Sequence, residues 1–315
     1  MATSNSFNYS CNATDVMTEA MEVAGVLAAG ESISSEDQTS IMRTLNMMVK
    51  QWSGNFDFAP GLKAFSRKHG YVFLQKDQGV YTLGQSGDNA TLAYNTTTMR
   101  IAGIATDVTL EVTSTSGMTA ADIIGIELDS GTIQWTTISS ITDSDTLVIP
   151  ASGLTSAAAA GRRIFAYTTK IMRPLYIENA VLRDTLTNDI PMTPMTLPGY
   201  ENLPVKGTDT LPLAYRYDNT LTNGTLYLNY QPSDVTYVIR LTFMAPAEDY
   251  DTAVDDIAYP QEWYLALSYG LAKLIAPKFD GAWTPLQESN LTAALMMART
   301  SYAEEVVEYF QPGID

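Results

Sequence analysis

Apolar residues recur with a helical period at both ends of the chain and with a strand period between them. Val16, Ala20, Val23, Ala24 and Leu27 fall at i, i+4, i+7, i+8 and i+11, one stripe of a helical repeat. Gly30 stops that run, and Ile41, Leu45, Met48, Val49 and Trp52 repeat the stripe until Gly54. Residues 13–53 are therefore expected to form a helical hairpin. Ser35 and Gln38 would be the capping box of its second helix, with Glu36 and Asp37 suited to the positive N-terminal end. Towards the C-terminus, Pro260 is placed for a first helical turn. Trp263, Leu267, Gly270, Leu271 and Leu274 form a stripe that Pro277 breaks. Thr284-Pro285-Leu286-Gln287 is a second capping box, followed by Leu291, Ala294, Leu295, Ala298, Tyr302 and Val306 on one face.

The middle of the chain alternates with a two-residue period. Residues 71–82 predict two short strands, and Gly84 to Asn89 is turn-like. Val108 to Val112, Ile126 to Leu128 and Ile133 to Ile138 alternate, with Asp129-Ser130-Gly131 as a hairpin turn between the last two. Such spacing predicts a small all-β barrel or sandwich over residues 92–169. Ala151 to Gly161 fits a short helix or a loop equally well. Beyond it, Leu175 to Leu182 reads as extended, followed by a run punctuated by Pro191, Pro194, Pro198, Pro204 and Pro212. Thr225 to Tyr230 and Thr236 to Phe243 read as an antiparallel pair joined by Gln231-Pro232-Ser233-Asp234. The fold class expected is α+β: terminal amphipathic helices packed into one helical core, antiparallel β segments, and the small β domain inserted between them. The corresponding divisions are 1–91, 92–169 and 170–315.

Charge narrows the functional classes. The 315 residues hold 18 Lys and Arg against 35 Asp and Glu, a net charge of −17 reached with only 17% charged residues. Bases are scarce, which argues against binding DNA by phosphate neutralisation. One Cys and one His leave no disulfide framework, no thiolate zinc site and no histidine-rich metal cluster. No secretory signal is visible at Met1 to Asn5, and the most apolar stretch, Leu265 to Ala276, is too short to span a bilayer. No catalytic, cofactor-binding or metal-ligating set emerges. Phosphate-cradling loops are missing. Gly84-Gln85-Ser86-Gly87 lacks the spacing of a nucleophile elbow and reads as a turn. His69 reads as part of an exposed loop. The acids Glu248, Asp249, Asp251, Asp255 and Asp256 allow a cation site or a glycosidase pair, but they also suit solvated acids ahead of a helix.

Four segments, Leu45 to Trp52, Tyr81 to Gly84, Arg173 to Ala180 and Pro260 to Pro277, in that order resemble the head-to-tail adaptors (connectors, or tail accessory factors) of short-tailed bacteriophages. Leu45-Asn46-Met47-Met48-Val49-Lys50-Gln51-Trp52 is similar to the family's Leu-Asn-x-Met-x-x-x-Trp helix. Tyr81-Thr82-Leu83-Gly84 resembles its Tyr-Thr-Ile-Gly element, and Arg173-Pro174-Leu175-Tyr176-Ile177-Glu178-Asn179-Ala180 its Arg-Pro-x-x-Ile-x-x-Ala segment. Pro260-Gln261-Glu262-Trp263 through Leu271-Ala272-Lys273-Leu274-Ile275-Ala276-Pro277 looks like the closing helix. In relatives the second and third elements lie close together. Here about 90 residues separate Gly84 from Arg173, which is why 92–169 reads as an insertion.

The resemblance implies a non-enzymatic, portal-proximal tail protein of the virion. It implies a homo-oligomeric ring of about twelve copies that docks on the portal protein, contacts nozzle or fibre proteins and bounds the DNA ejection channel. DNA would pass without specific binding, and neither cofactor nor membrane insertion is implied. Candidate interface residues are Met48, Trp52, Arg173 and Trp263 from the motifs, and Tyr302, Tyr309 and Phe310 from a C-terminal arm. Two alternatives remain at this stage: a nozzle or fibre-anchoring ring, and a tail-associated glycosidase or depolymerase.

Overall fold

A computed structural model of the chain describes residues 5–6, 8–54 and 61–300. The fold is α+β. Five α-helices occur among the described residues: α1 (Ala13–Val23), α2 (Ser35–Trp52), α3 (Leu197–Glu201), α4 (Tyr264–Ile275) and α5 (Pro285–Thr300). The chain divides into two compact units, one made of residues 1–66 with 247–315 and the other of residues 67–246.

In the first unit the inward stripes of α1, α2, α4 and α5 share one apolar cluster. It includes Val16, Met17, Ala20, Ile41, Leu45, Met48, Leu267, Leu271, Ile275, Ala294 and Ala298. Burying such faces supplies most of a helix's stability in a protein of this size. Side-chain caps fix where the helices begin. Asn12 accepts from the Asp15 N–H at 2.9 Å while the Asp15 carboxylate accepts from the Asn12 N–H at 3.0 Å, a full capping box on α1. Ser34, one residue before the expected Ser35, caps α2 by accepting from the Asp37 N–H. Thr284 and Gln287 cap α5 reciprocally, as their spacing predicts. The α2–α4 crossing needs a glycine, because a Cβ on Gly270 would lie 2.3 Å from Cη2 of Trp52.

The second unit carries sixteen strands among the described residues. They are β1 (Arg67–Phe73), β2 (Val80–Leu83), β3 (Ala90–Thr91), β4 (Asn95–Thr98), β5 (Thr109–Glu111), β6 (Ile123–Glu127), β7 (Ile133–Thr137) and β8 (Ser140–Ile141). After them come β9 (Thr146–Val148), β10 (Arg163–Tyr167), β11 (Tyr176–Arg183), β12 (Asp189–Pro191), β13 (Thr193–Pro194), β14 (Ala214–Asp218), β15 (Gly224–Leu228) and β16 (Val238–Met244). Four sheets result, with orders β12-β11-β16-β1-β3, β13-β14-β15-β2, β4-β10-β6-β7 and β5-β9-β8. Every pairing is antiparallel except β13 with β14. None of the sheets closes into a barrel, so the barrel allowed by the sequence for residues 92–169 does not form.

One further expectation is corrected and two open readings are resolved. The runs at 225–230 and 236–243 do not pair: β15 sits between β14 and β2, whereas β16 sits between β1 and β11. The link between them is drawn towards the first of these sheets, where the Gln231 N–H bonds the Thr208 carbonyl and the Asn229 side chain takes the Ala214 N–H. Ala151 to Gly161 is a loop whose Ala158 bridges to Gly103. The proline-punctuated run is not extended throughout, since α3 forms at Thr196, whose hydroxyl accepts from the Gly199 N–H.

Residues 92–169 leave and rejoin the five-stranded sheet at one place. The Ile171 N–H donates to the Ala90 carbonyl at 2.8 Å, and the Thr91 hydroxyl donates to the Thr169 carbonyl at 2.8 Å. This segment has its own apolar cluster, with Leu110, Ile124, Ile126, Leu147 and Ile164 at its centre. It also meets the long sheet through aromatic rings: Phe73 of β1 lies 5.0 Å from Trp135, 4.9 Å from Phe165 and 5.2 Å from Tyr94 between ring centroids. Polar ties flank the rings. The Gln75 amide brackets Ile133, donating to its carbonyl at 2.7 Å and accepting from its N–H at 2.9 Å. Arg163 donates to the Val235 and Thr236 carbonyls and to Glu127. Phe73→Ala should therefore cost about 3–5 kcal/mol, read as a lower urea midpoint, with a smaller loss for Phe73→Leu.

Candidate functional site

The motif on α2 is a packing device. Leu45 and Met48 are buried in the helical cluster, and Trp52 lies against Gly270 of α4. Asn46 reaches outside the helices: its amide donates to the Tyr250 carbonyl at 2.9 Å and accepts from the Tyr250 N–H at 2.9 Å. That two-point bond ties the segment before α4 to α2, and burial of the Tyr250 ring pushes its phenol pKa well up. Lys50, one turn on, pairs with Asp249 at 2.6 Å. Leu45-Asn46-x-Met48-x-x-x-Trp52 and the closing segment from Pro260 to Pro277 are thus two halves of one packed core.

The candidate interface residues separate on this geometry. Met48 and Trp263 are each 1% exposed, so their side chains fill the interior and present no surface to a partner. Both motif residues also lie on helical stripes, and such a stripe is the inward face by construction. Trp52 is half-buried against Gly270. Arg173 is half-buried in the second unit, where its guanidinium donates to the Asn219 side chain and, at 3.0 Å, to the Thr220 carbonyl. The adjacent Pro174 carbonyl accepts from the Tyr217 hydroxyl at 2.6 Å. The Arg-Pro element therefore holds the turn after β14. Tyr302, Tyr309 and Phe310 lie outside the described residues.

Residues singled out for chemistry also resolve into structure. His69 is on β1, where it is exposed and paired with Thr242, rather than in a loop. Ser86 sits in a turn and exchanges hydrogen bonds with the Asn223 side chain. In the acidic segment, the Asp255 carboxylate accepts from the Asp251 and Thr252 N–H groups at 2.8 Å and from the Thr252 hydroxyl at 2.5 Å. The hydroxyl first, then these amides, hold its pKa below the usual carboxylate value. Such a group stays ionised near neutrality, the state a glycosidase needs in its base or nucleophile and not in its acid. No group of three or more His, Cys, Asp or Glu side chains that could hold a metal ion occurs among the described residues. No helix among them is long and apolar enough to cross a membrane. No protein-family model matches the chain, and no curated protein matches it.

Two outcomes follow from these bonds. Asn46→Ala strands the Tyr250 N–H and carbonyl together and should lower stability by about 1–3 kcal/mol, measurable as a fall in thermal midpoint. The carboxylates of Asp129, Asp189, Asp255 and Glu288 are held low chiefly by Arg162, Arg183, Thr252 and Lys273 respectively. Depressed folded pKa values give stability that is present above the unfolded pKa, about 4, and lost as pH falls through the folded values. Unfolding free energy should thus be level near neutrality and drop below about pH 4, with a shallower drop in Asp189→Asn.

Proposed function

We propose that the chain is a non-enzymatic virion protein, the ring-forming head-to-tail adaptor of a short-tailed phage. In this role it docks under the portal, links capsid to tail and bounds the channel through which DNA leaves. The observation that carries the reading is the mutual packing of two segments some 200 residues apart. They are the α2 motif and the closing helix, two of the four segments that resemble the family, joined by Trp52 on Gly270, while Asn46 holds the stretch leading to the closing helix at Tyr250. On this reading the terminal helices are the adaptor core, and residues 92–169 are an inserted β domain. The paired hydrogen bonds from Ala90 to Ile171 and from Thr91 to Thr169 support an insertion, because its two ends cost little to close.

The charge fits the same role. About twelve copies at −17 each would surround the channel with about −200 formal charges, a field that salt screens but that still disfavours sticking of DNA. The test is reconstitution: the purified full chain mixed with the phage's portal ring and weighed by native mass spectrometry. A complex of fixed stoichiometry is expected. Failure to bind portal combined with binding to a distal tail ring would assign the chain to the nozzle, and cleavage of host glycan by the purified chain would assign it to the depolymerases.

A further inference from the structure

Ten arginines occur in the chain, all among the described residues, and nine have a partner. Arg43 has none. It projects, exposed, from α2 into a groove of about 560 Å³ that also takes in Thr39, Met42, the exposed Met47 and Lys50. Of that groove's two cations, Lys50 is already paired with Asp249, whereas the guanidinium of Arg43 has no ion pair among the described residues; the Asp251 carboxylate also lines the groove and leaves Arg43 unpaired. In a chain this acidic, an arginine left free beside flexible methionines has the composition of a docking hot spot.

The same unit presents the complementary charge elsewhere. Asp15, Glu19 and Glu22 follow one another at i, i+4 and i+7 along α1, on the wall of a second groove of about 530 Å³ completed by Tyr264 and the half-exposed Leu265. Asp15 is engaged in the α1 cap, but neither the Glu19 nor the Glu22 carboxylate has a hydrogen bond or ion pair among the described residues. The two grooves share no residue. One copy can therefore offer its Arg43 face while receiving another on its Glu19 and Glu22 face.

The geometry points to a second copy of this chain as the occupant. The α2 face around Arg43 and Met47 of one subunit seats on the α1–α4 groove of the next, with Arg43 placed between Glu19 and Glu22. An interface built from two different patches is heterologous, and when its rotation closes it generates a ring. Guanidinium and carboxylate match bidentately, which sets register as well as attraction, and Met47 and Leu265 supply apolar contact. This inference rests on the ring reading above and adds which faces make the ring.

Charge exchange in the full chain tests it, with assembly followed against concentration by analytical ultracentrifugation and native mass spectrometry, with and without portal. Arg43 and Glu19 are exposed and Glu22 is half-buried, and unchanged thermal midpoints will verify folding. Arg43→Glu alone, and Glu19→Arg with Glu22→Arg alone, should each raise the assembly concentration at least tenfold. Combining all three should restore most of the loss. Rings that form in both charge-reversed variants as readily as in the parent, or a combination no better than its parts, would overturn these faces while leaving the ring reading in place. A parent chain that stays monomeric even on the portal would overturn both.

Discussion

The pairing of β1 with β16 is the constraint on which the larger unit depends. Its register sets Val72 opposite Ile239 and Phe73 opposite Val238, and the pleat then sends neighbouring residues to opposite faces. Val72, Ile239, Leu241 and Phe243 enter the core of the long sheet. Phe73 and Val238 join Ile133, Phe165 and Tyr167 on the other side, where residues 92–169 pack. A slip of one residue would exchange the two sets and leave both cores unfilled. The strands concerned are more than 160 residues apart in the chain, so this unit is held by long-range pairing, which closes late and slowly in folding.

The helical unit rests on a different principle. Its contacts come from amphipathic stripes, and its specificity comes from a few polar or shape-determined points. Trp52 fits because position 270 has no side chain, and Asn46 holds the segment at Tyr250 through both of its amide groups. Asn46 and Trp52 belong to the helix motif that resembles the phage adaptors. A motif whose members serve packing specifies a framework rather than a chemistry, and function on that framework is decided by what it leaves exposed. Here the unsatisfied surface charges on α1 and α2 are the feature that framework residues do not explain.

Local signals in the sequence were legible. The period of apolar positions and the capping residues located α1, α2, α4 and α5, because a helix is decided largely by residues within a few positions of one another. The Ser34 cap was displaced by one residue from Ser35, since adjacent serines are equivalent in sequence and only backbone conformation selects one. Strand positions were legible too, but partners were not. Sequence neighbours pair more often than not, and that expectation failed for β15 and β16, whose partners lie 140 or more residues upstream on one side, at β2 and β1. For the candidate site, the motifs drew attention to Met48 and Trp263, which are interior residues. Arg43 lies in the expected second helix between Ile41 and Leu45, yet its lack of a partner among the described residues depends on where the other charges fold and has no signature in sequence.

The central claim is a position: a ring between capsid and tail, around the path of the DNA. Electron microscopy of intact particles, with this subunit identified by an antibody or a fused density marker, measures that position directly. The account predicts a ring of density immediately beneath the portal vertex, with the subunit's acidic residues lining its channel. Label confined to the distal tip or the fibres, or a channel at that level lined by basic residues, would contradict it.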